Sequence, residues 1–348
     1  MPTNDTYGFG IIGCGVIGPW HAQAINSIEG ARLVAVCDIV EERAREMAEE
    51  HGGEPCSDYA DMVKRDDIAI VNICTPSGMH ADMGVAAAEA GKHVVSEKPL
   101  DVTLEACDRI IDACRQNGVL LAGIFQNRFA EGSVRMKEAV DAGRFGKLTM
   151  GDAYVKWWRT QEYYDSGEWR ATWDLDGGGA LMNQSVHYID LLQYFMGPVE
   201  TIYARCATLA HTIDVEDCAA AVIGFENGAI GVIEGTTAAA PGSPARLEIH
   251  GDEGTAAWEN GRISTWKFAE KQEGDDEVAE AKKFADGAVS DPKAIAVEGH
   301  RRNIAALLEA VRAGEPSPLP GEEARKAVEI ILGIYKSAKE GCEVTLPL

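Results

Sequence analysis

The stretch GGGALMNQSVHYIDLL, residues 177–192, sets Asn183 four residues before His187 behind a glycine turn. In a helix that spacing puts both side chains on one face. An imidazole can take or give a proton near neutral pH, and an amide can orient it or hold a hydroxyl. On a 100° wheel Asn183, His187, Asp190 and Tyr194 fall within about 40° of one line, and Leu181, Tyr188, Leu192 and Phe195 lie opposite. The helix thus has a packing face that does not need His187, which becomes a candidate general base. The triple glycine is expected to let a ligand approach the backbone at the helix start.

A second group with chemistry is Lys98, in VVSEKP, where an apolar run gives way to Glu97-Lys98-Pro99. A third is Gly13-Cys14-Gly15-Val16-Ile17-Gly18, which fits G-x-G-x-x-G between an apolar run and a helical stretch. There Gly13 permits a tight turn, Gly15 lets the backbone approach a pyrophosphate, and Gly18 allows close helix–strand packing. The following helix N-terminus attracts the phosphates. Asp38 ends the next apolar run, 20 residues after Gly18. Its carboxylate suits a ribose hydroxyl and repels a 2′-phosphate, which favours NAD over NADP. Thr75-Pro76 ends the run IVNIC and is expected to line the same crevice.

These groups sit where strands end. From residue 8, short apolar runs (GFGIIG, RLVAVCD, IAIVNICTP, KHVVSEKP, VLLAGIF) alternate with helical stretches. That pattern predicts a parallel sheet with helices on both faces, binding ligands beyond the carboxyl ends of its strands. After Phe125 the alternation stops and longer alternating segments follow, with an Asn227-Gly228 hairpin signal. The expected fold is α/β: a Rossmann doubly wound domain over 1–125, then an α+β domain over 126–348 with a large, mostly antiparallel open sheet. The first would bind the dinucleotide, the second the substrate and other subunits. The tail 322–339 reads as an amphipathic helix before a short strand.

Asp plus Glu outnumber Lys plus Arg by 56 to 32, a net charge of −24. That field argues against nucleic acid and anionic membranes as partners. No run of 18 apolar residues occurs, so no membrane span is expected. The start MPTNDTYGFG lacks the features of a secretory signal. Nine cysteines without C-x-x-C or zinc spacing predict free thiols in a reducing cytoplasm and no metal site. Cys107 and Cys114 read as core thiols, and the acidic run 273–277 as a solvated loop.

GCGVIGPWH (13–21), TPSGMHADMGVAAAEAGKHVVSEKPL (75–100), QNRF (126–129), GGGALMNQSVHYIDLL (177–192) and LPGEEARKAVEIILGIYKSAKEG (319–341) resemble, in order, the glucose–fructose oxidoreductase / inositol dehydrogenase (Gfo/Idh/MocA) family. The resemblance implies a nicotinamide cofactor on the first domain, with Lys98 and His187 flanking the reacting carbinol. It also implies that Thr75, Pro76, His80, Glu97, Lys98 and Gln126 lie near the cofactor, and that the protein is a homodimer or homotetramer. Many members carry aspartate where this chain has Asn183; branches with asparagine include dehydrogenases of nucleotide-linked sugars. An amide supplies no negative charge to an imidazolium, so the difference bears on both mechanism and substrate.

Between the second domain's first strand and the helix of His187 lies VKWWRTQEYYDSGEWRATWDLDGGG, with four tryptophans and two tyrosines. Aromatic faces suit sugar rings, and arginine suits carboxylate or phosphate. Arg128, Lys156, Arg159 and Arg170 are the candidate cations for an anionic, sugar-like substrate. The expected reaction is reversible NAD-dependent oxidation of a secondary alcohol on a sugar, cyclitol or nucleotide sugar. His187 acts as base, Lys98 steadies the alkoxide, and Asn183 positions the imidazole or a hydroxyl. Two other readings remain: a non-catalytic NAD-sensing regulator, which would not require Lys98 and His187 together, and a reductase of a small imine or carbonyl acid, which the large aromatic insert disfavours. A zinc alcohol dehydrogenase lacks its ligand spacing.

Overall fold

The computed structural model describes residues 6–280 and 297–348. The first five residues, part of the stretch read above for a secretory signal, lie outside the described residues. The chain forms two compact units, residues 1–126 with 296–325 and residues 127–295 with 326–348.

The first unit holds six parallel strands: β1 (Tyr7–Ile12), β2 (Ala31–Cys37), β3 (Glu54–Cys56), β4 (Ile70–Ile73), β5 (His93–Ser96) and β6 (Leu121–Gly123). Their order is β3-β2-β1-β4-β5-β6, so the winding reverses between β1 and β4, where such sheets open a crevice. β4 is buried along its whole length, and its one polar side chain, Asn72, meets His21 Nδ1 at 2.8 Å. The helix Leu104–Gln116 buries Cys107, Ile110, Ile111 and Cys114, an i, i+3, i+4, i+7 stripe. The sequence reading lacked β3, a three-residue edge strand containing Pro55 that pairs with Ala35–Cys37; a strand so short carries no periodic signal.

A single boundary after residue 125 leaves out the return of the chain to this unit. Ile304, Leu307 and Leu308 of the helix Val297–Ala313 share one buried cluster with Phe9, Ile11, Ala22 and Ile25. Their spacing is again one helical stripe, and it completes the core around β1.

The second unit carries β7 (Leu148–Lys156), β8 (Val199–Ala207), β9 (Cys218–Phe225), β10 (Ile230–Thr236), β11 (Arg246–Gly251), β12 (Gly254–Glu259), β13 (Arg262–Phe268) and β14 (Val344–Thr345). The sheet order is β13-β12-β11-β7-β10-β9-β8-β14. Only β7 and β10 pair in parallel, so the sheet is mixed and mostly antiparallel. β9 and β10 form the expected hairpin, with Gly228 at φ +83°. The helix Val186–Met196 packs on one face of the sheet, where Met196 lies over Gly151 and Tyr188 meets Trp157 and Trp258 edge-on. Tyr203, Val222 and Ile230 are exposed. The acidic run is not wholly solvated: Asp275 is buried and takes both ends of the Arg144 guanidinium at 3.0 and 2.8 Å.

Candidate active site

The glycine loop of the first unit leaves β1 with Gly13 at φ +101°, and a Cβ there would lie 2.5 Å from the Cys74 carbonyl oxygen. A Cβ on Gly18 would lie 2.5 Å from the Gly13 carbonyl oxygen. Gly13 and Gly18 are therefore needed by the fold itself. Gly15 differs: a Cβ there would meet nothing within 4 Å. Its backbone, and that of exposed Val16 before Ile17, face open space. Asp38 is tied to this loop, with Oδ2 accepting from the Cys14 N–H at 2.9 Å and Oδ1 from the Val40 N–H at 2.8 Å. Ile39 beside it is 87% exposed, an apolar surface suited to a purine ring. Burial, with Asp38 nearby, pushes the Cys14 thiol up to about 12, so it stays neutral.

At the next strand ends, the Lys98–Pro99 bond is cis. His80 is buried, and its two ring nitrogens face the Pro99 and Thr75 carbonyl oxygens at 2.8 and 3.0 Å. It lies between the two turns, packed against the backbone of both. Thr75 Oγ1 is buried and has no hydrogen bond among the described residues. Gln126 opens a 3₁₀ turn and packs on Gly299.

Glu97 is buried. Its Oε1 accepts from His21 Nε2 at 2.8 Å and lies 3.3 Å from His300 Nε2, and its Oε2 accepts the Lys98 N–H at 3.1 Å. Burial works against its charge, yet the two imidazoles hold its carboxyl well below the usual range. Burial lowers His21. Glu97 thus anchors the Lys98 turn from inside instead of lining the crevice. His300 is part of that anchor. Among the described residues these three are a group able to hold a metal ion, their ligand atoms within 4.8 Å of one another; hydrogen bonds account for their contacts.

In the second unit the glycine turn is filled by protein. A Cβ on Gly178 would lie 2.1 Å from Tyr335 Oη, and one on Gly179 would lie 1.9 Å from the Glu216 carbonyl oxygen. Glu216 Oε2 accepts from the Gly179 N–H at 3.0 Å, and Oε1 accepts from the Leu181 N–H at 2.8 Å and Tyr335 Oη at 2.9 Å. The expected approach of a ligand to this backbone is therefore corrected. The carboxylate sits on the helix start, as the exposed N–H groups there favour. Burial raises Glu216 to about 7.

The chain then winds as a π-helical turn over Ala180–Ser185 before the α-helix Val186–Met196. Such turns often mark functional sites. The uniform 100° wheel does not hold across it. Asp190, placed on the site face by that wheel, is buried and pairs with Arg128 through two bonds of 2.8 and 2.6 Å, while Arg128 stacks on Tyr194. This corrects Arg128 as a substrate cation: its charge is matched inside the core. Lys156 is likewise taken up, by Glu234 at 2.7 Å on the neighbouring strand β10.

Asn183 and His187 are half-buried. Asn183 Nδ2 donates to Asp176 Oδ1 at 2.6 Å, and Asn183 Oδ1 accepts from Gln184 Nε2 at 3.0 Å. Gln184 Nε2 also reaches Tyr163 Oη at 2.9 Å, Gln184 Oε1 accepts from Arg159 at 2.9 Å, and Arg170 donates to Tyr163 Oη at 2.9 Å. Three predicted residues, Arg159, Arg170 and Asn183, are thus joined through Tyr163 and Gln184. Sequence reasoning missed Asp176, Gln184, Glu216 and Tyr335. Asp176 stands directly before the triple glycine, but the others carry no local signal.

An open glycine loop beside an acid, at the reversal of a parallel sheet, fits NAD: the loop is open at Gly15, and Asp38 at the end of β2 is hydrogen-bonded to it. Residues 7–125 match the oxidoreductase family model with an NAD-binding Rossmann fold. The protein is thus an NAD-dependent oxidoreductase acting on CH–OH groups. Residues 133–257 match the GFO/IDH/MocA C-terminal domain, and the chain belongs to the Gfo/Idh/MocA family. It is 35% identical to the WlbA dehydrogenase from Bordetella pertussis, solved in complex with NADH and UDP-GlcNAcA, with 99% of each chain covered and a TM-score of 0.92. A scyllo-inositol 2-dehydrogenase (NAD(+)) of Bacillus subtilis is 30% identical, over 70% of this chain and 71% of its own. A myo-inositol 2-dehydrogenase of Thermotoga maritima is 29% identical, over 97% and 98%. No helix among the described residues is long and apolar enough to cross a membrane.

Proposed function

We propose that the protein oxidises, reversibly, a secondary alcohol of a nucleotide-linked sugar. The observation that carries this reading is the 35% identity, along 99% of both chains, to a dehydrogenase solved with UDP-GlcNAcA. NAD, when bound on the first domain, would supply the hydride acceptor. His187 takes the hydroxyl proton on its imidazole, and the Lys98 ammonium stabilises the developing alkoxide. Asn183 positions the imidazole, and Arg159 and Arg170 hold the anionic part of the substrate. The first domain is the dinucleotide-binding part and the second the substrate-binding part. The exposed Tyr203, Val222 and Ile230 support a homodimer or homotetramer, working in the cytoplasm.

The test is NAD reduction by the purified protein with UDP-GlcNAcA, myo-inositol and levoglucosan as probes. Turnover is expected with UDP-GlcNAcA. Turnover with myo-inositol alone would replace the nucleotide sugar by a cyclitol, as the Thermotoga relative would favour. His187→Ala should lower kcat by ~10²–10⁴ with folding intact. Lys98→Met should lower kcat more than it weakens NAD binding. Near-full turnover by His187→Ala would end the base assignment.

A further inference from the structure

The nine cysteines are all free thiols, and their placement singles out one pair. Cys37 at the end of β2 is the register partner of Cys56 at the end of the parallel strand β3. Register partners on neighbouring strands project to one face, and such strands lie about 4.8 Å apart. That is inside the span of roughly 4.4–6.8 Å between the Cα atoms of a disulfide. Two other pairs are near in space or sequence but do not meet this condition. Cys206 stands opposite Ala219 and Cys218 opposite Ala207, so these two thiols point to opposite faces of their sheet. Cys107 and Cys114 are on one helix, about 10 Å apart along its axis.

The pair is also unequal. Cys37 is 2% exposed, whereas Cys56 on the edge strand is half-buried. The Cys37 thiol, and after it the Arg65 guanidinium, hold Cys56 below the ordinary thiol value, against burial and the nearby Asp58 and Asp61. The Cys56 thiol, and then burial, push Cys37 up. Cys56 is thus the thiolate that a solvent oxidant meets first, with a neutral thiol behind it. Cys14, in the glycine loop beside them, is pushed by burial to about 12 and stays out of the reaction.

The pair encloses Asp38. That residue follows Cys37 directly, and its N–H donates to the Cys56 carbonyl oxygen at 3.2 Å. Its Oδ2 accepts from the Cys14 N–H at 2.9 Å. A bond between the two sulfurs draws their Cβ atoms to about 3.8 Å, and so tightens the strand ends on either side of this carboxylate.

We propose that Cys37 and Cys56 are a hydroperoxide-reactive dithiol that closes to a disulfide beside Asp38 and weakens NAD binding. The Cys56 thiolate attacks the peroxide. An S–O bond forms, the O–O bond breaks, and the departing oxygen takes a proton from water. The Cys37 sulfur then attacks the sulfenic acid. The S–S bond forms, the S–O bond breaks, and water leaves with the Cys37 proton. The two thiols lose two electrons, and the peroxide gains them. A small dithiol reverses the step by exchange. The effect on NAD rests on Asp38 meeting the adenosine ribose.

The test treats the full-length protein with hydrogen peroxide, digests it without reduction and reads the peptides by mass spectrometry. NAD affinity is titrated before and after. A Cys37–Cys56 cross-linked peptide is expected, with NAD binding weakened about tenfold, the loss of one hydrogen bond to a charged group, and restored by dithiothreitol. Cys37→Ser should accumulate a sulfenic acid at Cys56, trapped by dimedone. Cys56→Ser should keep Cys37 as a thiol and hold its NAD affinity through the treatment. Thermal melts check both variants, and the parent protein decides alone if either fails to fold. A pair that stays reduced while the exposed Cys342 is oxidised overturns the proposal. So does a cross-link that leaves NAD affinity unchanged while Asp38→Ala weakens it. If Asp38→Ala also binds NAD as the parent does, the ribose assignment is what falls, and the cross-link alone decides the dithiol.

Discussion

The chain twice runs from a glycine-rich turn into a helix, at Gly13–Gly18 and at Gly177–Gly179, and uses the two turns in opposite ways. At the first, Gly15 faces open space, and the helix start is available to an external anion. At the second, the Glu216 carboxyl group accepts from the N–H groups of the helix start and Tyr335 fills the space beside Gly178. The same backbone chemistry, exposed N–H groups and a missing Cβ, thus yields a binding loop in one unit and a locked strut in the other. Whether the anion comes from outside or from within the chain decides which.

The comparison can be broken at three points. The largest effect is expected at the closed turn. Gly179→Ala forces a methyl onto the Glu216 carbonyl oxygen, 1.9 Å away, and should cost roughly 3 kcal/mol, lowering the Tm by about 4 °C. A Tm within 2 °C of the parent would mean that the turn is not closed in solution. Next is the internal anion. The folded value of Glu216, about 7, lies above its ordinary 4.5, so between those two pH values the folded chain binds a proton that the unfolded chain does not. Stability should therefore fall as pH rises through that window, by up to roughly 3 kcal/mol, and level off above it. Glu216→Gln should remove the slope, as read by urea unfolding at pH 4.5 and pH 7.5; an unchanged slope would assign it to another group. The smallest effect on the fold belongs to the open turn. Gly15→Val should leave the Tm unchanged yet weaken NAD binding about tenfold, a loss of about 1.4 kcal/mol, measured by titration. Equal loss of both would make the first turn structural as well.

How much could be read in advance followed the range of the interactions. G-x-G-x-x-G, Asp38 and the alternating runs are local, and the first sheet was legible from them. Asn183 and His187 were found because they lie within one turn of helix. The wheel sets Asp190 on the face of His187 but cannot show that Asp190 is buried there against Arg128. Arg128 was taken for a substrate cation because its partner, Asp190, lies 62 residues away. Glu97 was visible, but its two imidazoles were not: His300 reaches it from about 200 residues downstream. The sites' anchors are long-range contacts, and periodicity is silent about those.

The return of Val297–Ala313 to the first unit has a consequence for synthesis. Ile304, Leu307 and Leu308 belong to the same buried cluster as Phe9 and Ile11. At about 5–20 residues per second, roughly 10–35 s separate the emergence of residue 126 from that of the helix. Through that interval the nucleotide domain is a nascent chain with part of its apolar core uncovered, while seven of the eight strands of the second sheet, β7 to β13, are made. A ribosome stalled before residue 297 should present that surface to chaperones, and one stalled well after residue 325 should not.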